Sequence, residues 1–321
     1  MVGVSGEESL AAASRYAEAG PALPLPGSDS FVDEVAACTT RFGAVAVFPS
    51  NDDALLALQP ALARFVDKSA MADHAEPAGL VVPDTSSFES AADLVAAGAS
   101  VQYPVVVKPA RKQPGLPAYV AETPDDVRIG EHIGPVIAQT FLTGLTDAIC
   151  GVMSNGRIVA HIQQEYARTW PRACGTAAYA RVVEPDPLRS DALQELLSGY
   201  NGIFQAQFVA GALIDLNLRV YGSMALALAT GINLPALVCQ HQTGQPAVSS
   251  TSAPGTRYRW VEGDLRGLWQ GWRTGDTSLG RVLGELAPRP DTTHSVVSLR
   301  DPKPTLARFK YAASKRHGDQ A

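Results

Sequence analysis

Two apolar runs rich in β-branched and aromatic residues flank a short glycine-containing turn in residues 202–223, GIFQAQFVAGALIDLNLRVYGS, a pattern that predicts a β-hairpin. Period two along its second half sets Asp215, Asn217 and Arg219 on one face and Ile214, Leu216 and Leu218 on the other, across from Gln207 on the first strand. Residues 103–111, YPVVVKPAR, predict a buried strand delivering Lys108 at its end, and residues 136–144 an apolar strand that runs into a loop. After Asp147 comes another strand, and Asn155-Gly156 before 157–162 is the strongest short hairpin signal in the chain.

Helical spacing is confined to shorter tracts. It predicts helices over 30–40 and 53–65, and a helix opened near Asp67 that gives way to a turn at Gly79 and a short strand over 80–83. Residues 44–48 read as a buried strand and 49–53 as the loop at its end. Residues 245–256, rich in Ser, Thr, Pro and Gly, read as a loop. Residues 264–272 predict a helix that packs Leu265, Leu268 and Trp272 on the core. A basic terminal helix over 306–315 keeps Arg308, Lys310 and Lys315 as a solvated face. The first twenty residues hold at most a very short strand.

Composition narrows the class. The 321 residues, 46% of them apolar, are enough for two or three packed units. A net charge of -6 without a basic stripe argues against nucleic acid as partner. No run reaches the length of a membrane span and no basic n-region opens the chain, so the expected destination is cytoplasmic. Cys38, Cys150, Cys174 and Cys239 lie far apart and read as small buried hydrophobes; His161 reads as a core histidine, and His241 is too near Cys239 for a metal pair. There is no G-x-S-x-G elbow, no G-x-G-x-x-G loop and no Walker A sequence.

An acid, an amide and a guanidinium in line, facing Gln207, make an oxygen-rich site suited to a hard cation and a phosphate. The spacing equally suits the solvent-facing side of an ordinary hairpin. Lys108 reads either as a charge held against a phosphate or as a surface lysine ending a core strand.

In order along the chain, Asp67-Lys68, PVVVKP, QTFL at 139–142, AQF at 206–208 and LIDLNLR followed by Gly222-Ser223 resemble the ATP-grasp superfamily, with the flavour of the group related to D-aspartate ligases. The resemblance spans roughly half the chain and extends more weakly to 257–269, RYRWVEGDLRGLW. It implies an α/β ATP-grasp fold of two α/β lobes that clamp ATP. A shortened pre-ATP-grasp domain would occupy 1–64, the small lobe 65–144, and the large lobe with its helical tail 145–321.

By the same resemblance Lys68 and Lys108 contact ATP phosphates. Gln139, Thr140, Phe141 and Leu142 form the adenine hinge, with Gln139 standing where the family usually carries an acid, and Asp147 falls near the ribose. Gln207, Asp215 and Asn217 hold Mg2+, and Arg219 and Lys108 stabilise the transferring phosphoryl group. Gln207 replaces an acid, Asp215 a glutamate and Leu218 a proline of the family pattern, a set that weakens metal binding. Arg172, Gly175 and Thr176 are candidate substrate contacts, and 111–118 occupies the place of the glycine-rich lid. The activity implied is an ATP- and Mg-dependent ligase that joins small-molecule carboxylate and amine substrates through an acyl phosphate. The alternatives are a non-catalytic nucleotide-binding relative and a kinase or carboxylase with another acceptor.

Overall fold

The computed structural model describes residues 2–3, 10–111, 116–130, 134–245, 250–251 and 254–318. The chain divides into two compact units, Met1–Val47 with His294–Ala321, and Phe48–Thr293.

In the first unit Val2–Gly3 pairs in parallel with Glu18–Ala19, and helix Leu10–Ala13 packs on the terminal helix Pro302–Gly318. Asp301 fastens the two ends of the chain, accepting from Ser14 Oγ at 2.5 Å and from the Arg15 amide at 3.2 Å. Helix Phe31–Phe42 stops at Gly43, whose φ of 57° closes the C-terminus in the left-handed form that glycine adopts without strain. The buried strand expected over 44–48 does not form, and Val45 and Val47 are about half exposed. A strand needs a neighbour for its amides and carbonyls, and the only sheet here among the described residues already pairs Val2–Gly3 with Glu18–Ala19.

The helix expected over 53–65 is broken into Asp52–Leu58, the turn Pro60–Leu62 and Ala63–Val66. Pro60 lacks an amide hydrogen and forces Gln59 out of the helical region, to φ -140° and ψ 70°. Asp67 opens the next helix, Lys68–Ala75, its carboxylate accepting from the Ser69 amide at 3.0 Å. Residues 80–83 do not form a strand. They run extended beside the hairpin, with the Val81 carbonyl taking the Leu213 amide, and the strand begins later, at Thr85–Phe88.

Two sheets frame the second unit, antiparallel but for Ser250–Thr251, which pairs in parallel with the strand at Ala160–His161 of the larger one. The smaller runs in the order Thr85–Phe88, Val136–Thr140, Val105–Pro109, Tyr119–Ala121, over a core of Leu94, Val105, Val107 and Ala121. The larger runs Ala212–Asn217, Gly202–Val209, Thr146–Ser154, Arg157–Trp170, Thr176–Val183, Arg257–Arg259, Thr292–His294. Its hairpins turn on Asn155-Gly156 (φ 50° and 74°) and Ala210-Gly211 (φ 50° and 83°), the positive pair that a tight two-residue hairpin turn requires. One face of the larger sheet buries Ile149, Met153, Phe204, Phe208, Leu213 and Leu216 against Met71 and Ala75 of helix Lys68–Ala75 and Leu193 and Leu196 of helix Pro187–Leu196. The opposite face is polar and carries the candidate site.

Helix Val261–Arg273 also departs from expectation. Leu268 is buried, but Leu265 and Trp272 face solvent, and the buried positions are Gly263, Asp264, Leu268 and Gly271. Asp264 sets the orientation: its carboxylate is 2.5 Å from Arg168 Nε and 3.0 Å from Arg259 Nε, and a carboxylate this useful to two arginines turns the helix toward them.

Candidate functional site

Cross-strand register explains how the polar face is assembled. Gln207 lies directly opposite Asp215 and Gln205 opposite Asn217, while a bulge beyond Gln207 pairs Phe208 with Leu213. The bulge leaves Ile214 unpaired, so Leu213 rather than Ile214 joins Leu216 and Leu218 in the core, and Ile214 is half-buried.

The turned Ile214 carbonyl has a use. It accepts from Lys108 Nζ at 2.8 Å, and Gln139 Oε1 accepts from the same ammonium at 2.9 Å. Lys108 therefore bridges from the small sheet to the hairpin of the large one. Gln139 is held in turn by Thr85 Oγ1, 3.0 Å from its Nε2. Both acceptors of Lys108 are neutral and the side chain is buried, so burial lowers its pKa to about 8; Asp215 nearby opposes that shift and Lys68 adds to it.

From the other side, Lys68 at the start of its helix places Nζ 3.3 Å from Asp215 Oδ1. Asn217 donates to Asp215 Oδ2 at 3.1 Å, and Arg219 NH2 donates to Asn217 Oδ1 at 2.8 Å. Arg219 Nε meets Asp52 Oδ1 at 2.5 Å, and its NH1 meets the Val220 carbonyl at 3.0 Å. Lys68, Asp215, Asn217 and Arg219 thus form one continuous polar ladder, with Lys108 bonded to the Ile214 carbonyl beside it. Asp52 is the member that sequence reasoning missed. Asp52 starts helix Asp52–Leu58, behind the side-chain cap of Asn51, and nothing local in the sequence ties it to a residue 167 positions away.

Beneath the ladder lies a neutral floor. Gln207 and Gln205 both donate to the Tyr166 hydroxyl, at 3.2 and 3.3 Å, and Gln164 donates to Ser223 Oγ at 2.8 Å. Burial pushes the Tyr166 phenol well above its ordinary value and the Cys150 thiol up to about 12, so neither ionises near neutral pH. Gln164 and the Tyr221 hydroxyl are buried in the same floor, Tyr221 beside the Cys150 thiol. The signal that could have found this floor is the pair Gln205 and Gln207, two amides at period two inside an apolar strand.

The donor set fits a hard cation in kind and is lean in charge. Asp215 supplies the carboxylate, Asn217 and Gln207 amide oxygens, all on paired positions. No group of three or more His, Cys, Asp or Glu that could hold a metal occurs among the described residues.

In the hinge, Gln139 is buried, Thr140 exposed, and Phe141 and Leu142 half-buried. The Thr140 amide is taken by the Asp84 carbonyl and that of Phe141 by the Pro104 carbonyl. Asp147 is placed elsewhere. It belongs to the opposite face of its strand, where its carboxylate accepts from Gln163 Nε2 at 2.6 Å and from Arg189 NH1 at 3.1 Å. Arg172 pairs at the surface with Asp276 at 2.6 Å. Gly175 is required by space: a Cβ there would lie 2.1 Å from the Pro171 carbonyl oxygen. Thr176 is exposed at the start of its strand. The same loop brings Cys174 near Lys108, whose charge offsets part of the upward shift that burial imposes on the thiol. Of the expected lid, 112–115 lie outside the described residues.

No family model matches the sequence, and no curated protein matches it. Solved structures do match. An L-amino acid ligase from Bacillus licheniformis is 17% identical with a TM-score of 0.55, covering 70% of this chain and 63% of its own. The biotin carboxylase domain of the Hydrogenobacter thermophilus 2-oxoglutarate carboxylase, solved with MgADP, ADP and bicarbonate, is 12% identical with a TM-score of 0.56, covering 75% of this chain and 64% of its own. A Campylobacter jejuni biotin carboxylase is 15% identical with a TM-score of 0.54, covering 77% and 65%. The protein has the α/β ATP-grasp fold that these structures share. The chain spans less than two thirds of the length of each. No helix among the described residues is long and apolar enough to cross a membrane.

Proposed function

We propose that the protein is an ATP- and magnesium-dependent ligase that joins a carboxylate to an amine through an acyl phosphate. The reading rests above all on two buried lysines from different elements that meet the hairpin side by side, Lys68 at Asp215 and Lys108 at the Ile214 carbonyl, with Asn217 and Arg219 in line behind Asp215. Three cations, Lys68, Lys108 and Arg219, gathered with the carboxylates Asp215 and Asp52 suit a polyanion that brings its own metal. Lys68 and Lys108 would take the ATP phosphates, and the hinge at 139–142 the adenine. Asp215, Asn217 and Gln207 would hold magnesium, which when bound would neutralise phosphate charge. Residues 65–144 and the larger sheet after 145 would act as the two lobes.

The substrate carboxylate oxygen takes the γ-phosphoryl group, releasing ADP. The amine nitrogen then attacks the acyl carbon, phosphate leaves, and the nitrogen loses its proton. No side chain becomes covalently attached. Arg219 and Lys108 would stabilise the charge that develops on the phosphoryl oxygens, and the lobes supply positioning.

A second reading, a nucleotide-binding protein without turnover, draws on Gln207, whose amide is tied to Tyr166 where a second carboxylate would strengthen the metal site. Calorimetric titration of ATP with and without magnesium, followed by an ADP-release screen over amino-acid pairs, separates the two. Magnesium-dependent binding with ADP release for a carboxylate–amine pair supports the ligase. ADP release with a hydroxyl acceptor or bicarbonate alone replaces it by a kinase or carboxylase, and binding without release for any acceptor favours the second reading.

A further inference from the structure

Two consecutive helices of the second unit, Val261–Arg273 and Leu279–Leu286, lie against each other and turn apolar stripes to solvent. On the first, Leu265, Trp269 and Trp272 are exposed; on the second, Leu279, Leu283 and Leu286. Both sets follow i, i+4, i+7, the spacing of one helix face. Trp269 is 57% exposed and Leu283 63%, and no residue of the second helix is buried. The indole rings of Trp269 and Trp272 already pack on each other at 4.9 Å between centroids. Isolated exposed leucines need no explanation, but six large apolar side chains in stripes on two adjoining helices do.

The inner side of the first helix cannot exchange places with this stripe. Asp264 is locked between Arg168 and Arg259. A Cβ at Gly263 would lie 2.3 Å from the Trp260 ring, and one at Gly271 3.1 Å from Thr277 Oγ1. The stripe is therefore fixed outward.

Its charges indicate what covers it. Glu262 stands in the first turn, bonded to Arg266 at 2.8 Å, and Arg273 in the last turn. Among the described residues Arg273 and Arg281 make no ion pair. Positions 262, 266, 269 and 273 lie along one line of the helix, acid at one end and base at the other. A two-fold axis between Arg266 and Trp269 would run this helix antiparallel to its own copy. That register sets Arg266 across from the partner's Trp269, and Glu262 across from the partner's Arg273, each twice by symmetry. A line with a guanidinium and an indole at its centre and opposite charges at its two ends is complementary to itself. The acid at one end and the net charge of -6 disfavour an anionic lipid surface as the occupant.

We propose that the face formed by these two helices is an isologous dimer interface and that its occupant is a second copy of this chain. The proposal is independent of the ligase reading. Sedimentation velocity of the full chain over a micromolar concentration series tests it, with circular dichroism as the check on folding. The wild type is expected at twice the chain mass. Trp269→Glu and Leu283→Glu, which replace exposed side chains, are expected to give folded monomers. Glu262→Arg and Arg273→Glu alone are each expected to weaken the dimer about tenfold or more, and the double exchange to restore it, since it rebuilds both pairs with reversed sign. A wild type that stays monomeric throughout overturns the proposal, as does a dimer that Trp269→Glu leaves intact. A monomer that floats with anionic phosphatidylserine vesicles through Trp269 overturns it in favour of lipid. Failure of the double exchange to restore the dimer overturns the antiparallel register.

Discussion

Lys68 Nζ lies 3.3 Å from Asp215 Oδ1, and both side chains are largely shielded from water. With Oδ2 held by Asn217, both oxygens of the carboxylate proposed to bind metal are already engaged by the protein. A triphosphate competing for Lys68 would release Oδ1, so nucleotide and metal are expected to load together. Magnesium alone should produce no calorimetric signal. Asp215→Asn removes the one carboxylate of the hairpin and should cut turnover about a hundredfold or more, on the order of 3 kcal/mol. The same variant should bind metal-free ATP at least as tightly as the wild type, because a negative charge beside the phosphates is gone. Unchanged turnover would remove Asp215 from the mechanism.

Lys108 predicts a pH dependence. Its pKa of about 8 lies below the ordinary 10.5, and burial is the main cause. Between those values the unfolded chain holds more protons than the folded one, so this group makes the nucleotide-free protein more stable as pH rises from about 8 toward 10.5. Phosphate oxygens favour the ammonium form and raise that pKa again. ATP binding at pH 8 to 9 should therefore take up a proton, and affinity should fall as pH climbs through about 8. Titrations in buffers of different ionisation enthalpy measure the uptake. Lys108→Met should abolish it, and uptake that survives in this variant would assign the proton elsewhere.

Asp52 is expected to act on the site through Arg219. Their contact at 2.5 Å is buried on both sides, and it fixes the Nε edge of the guanidinium while leaving a hydrogen on each terminal nitrogen for an anion. Asp52→Ala strands a buried cation and should cost roughly 3 kcal/mol in stability. Asp52→Asn keeps the shape and an acceptor oxygen and should lose less. Both should raise the KM for the carboxylate substrate more than that for ATP, a split that a purely structural role would not produce.

Legibility in the sequence followed the range of the forces involved. The hairpins at Asn155-Gly156 and Ala210-Gly211, the strand that ends at Lys108, and the helix opened at Asp67 are specified by period-two patterns and by turn and cap residues within a few positions. The charged ladder was visible because Asp215, Asn217 and Arg219 sit two apart. What failed depended on partners distant in sequence. Residues 44–48 have an apolar run but, among the described residues, no neighbouring strand to bond. Leu265 and Trp272 obey helical spacing, yet the buried ion pairs of Asp264 turned the helix the other way. A single bulge exchanged Ile214 for Leu213 in the core, a slip that period two cannot foresee. Asp147 looked like a site residue by its place in the chain, but strand alternation sends its carboxylate to Arg189 on the far face.

Gln207 offers the most direct control over the metal. It faces Asp215 across the hairpin and donates to the Tyr166 hydroxyl, so its carbonyl oxygen is its share of any coordination. Gln207→Glu would set two carboxylates directly opposite each other, a like-charge pair that destabilises a sheet unless a cation lies between them. Without magnesium, the variant should melt lower than the wild type. Addition of MgATP should then raise its melting temperature by more than it raises that of the wild type, because a second anionic ligand strengthens a hard-cation site. Tyr166→Phe provides the control: it removes the acceptor of both glutamines without adding charge, and should lower stability without changing the magnesium concentration needed for half-maximal ATP binding. Melting curves across a magnesium series read both effects. If Gln207→Glu leaves that half-maximal concentration where the wild type has it, Gln207 is not a metal ligand, and the ion is held by Asp215, Asn217 and the phosphates.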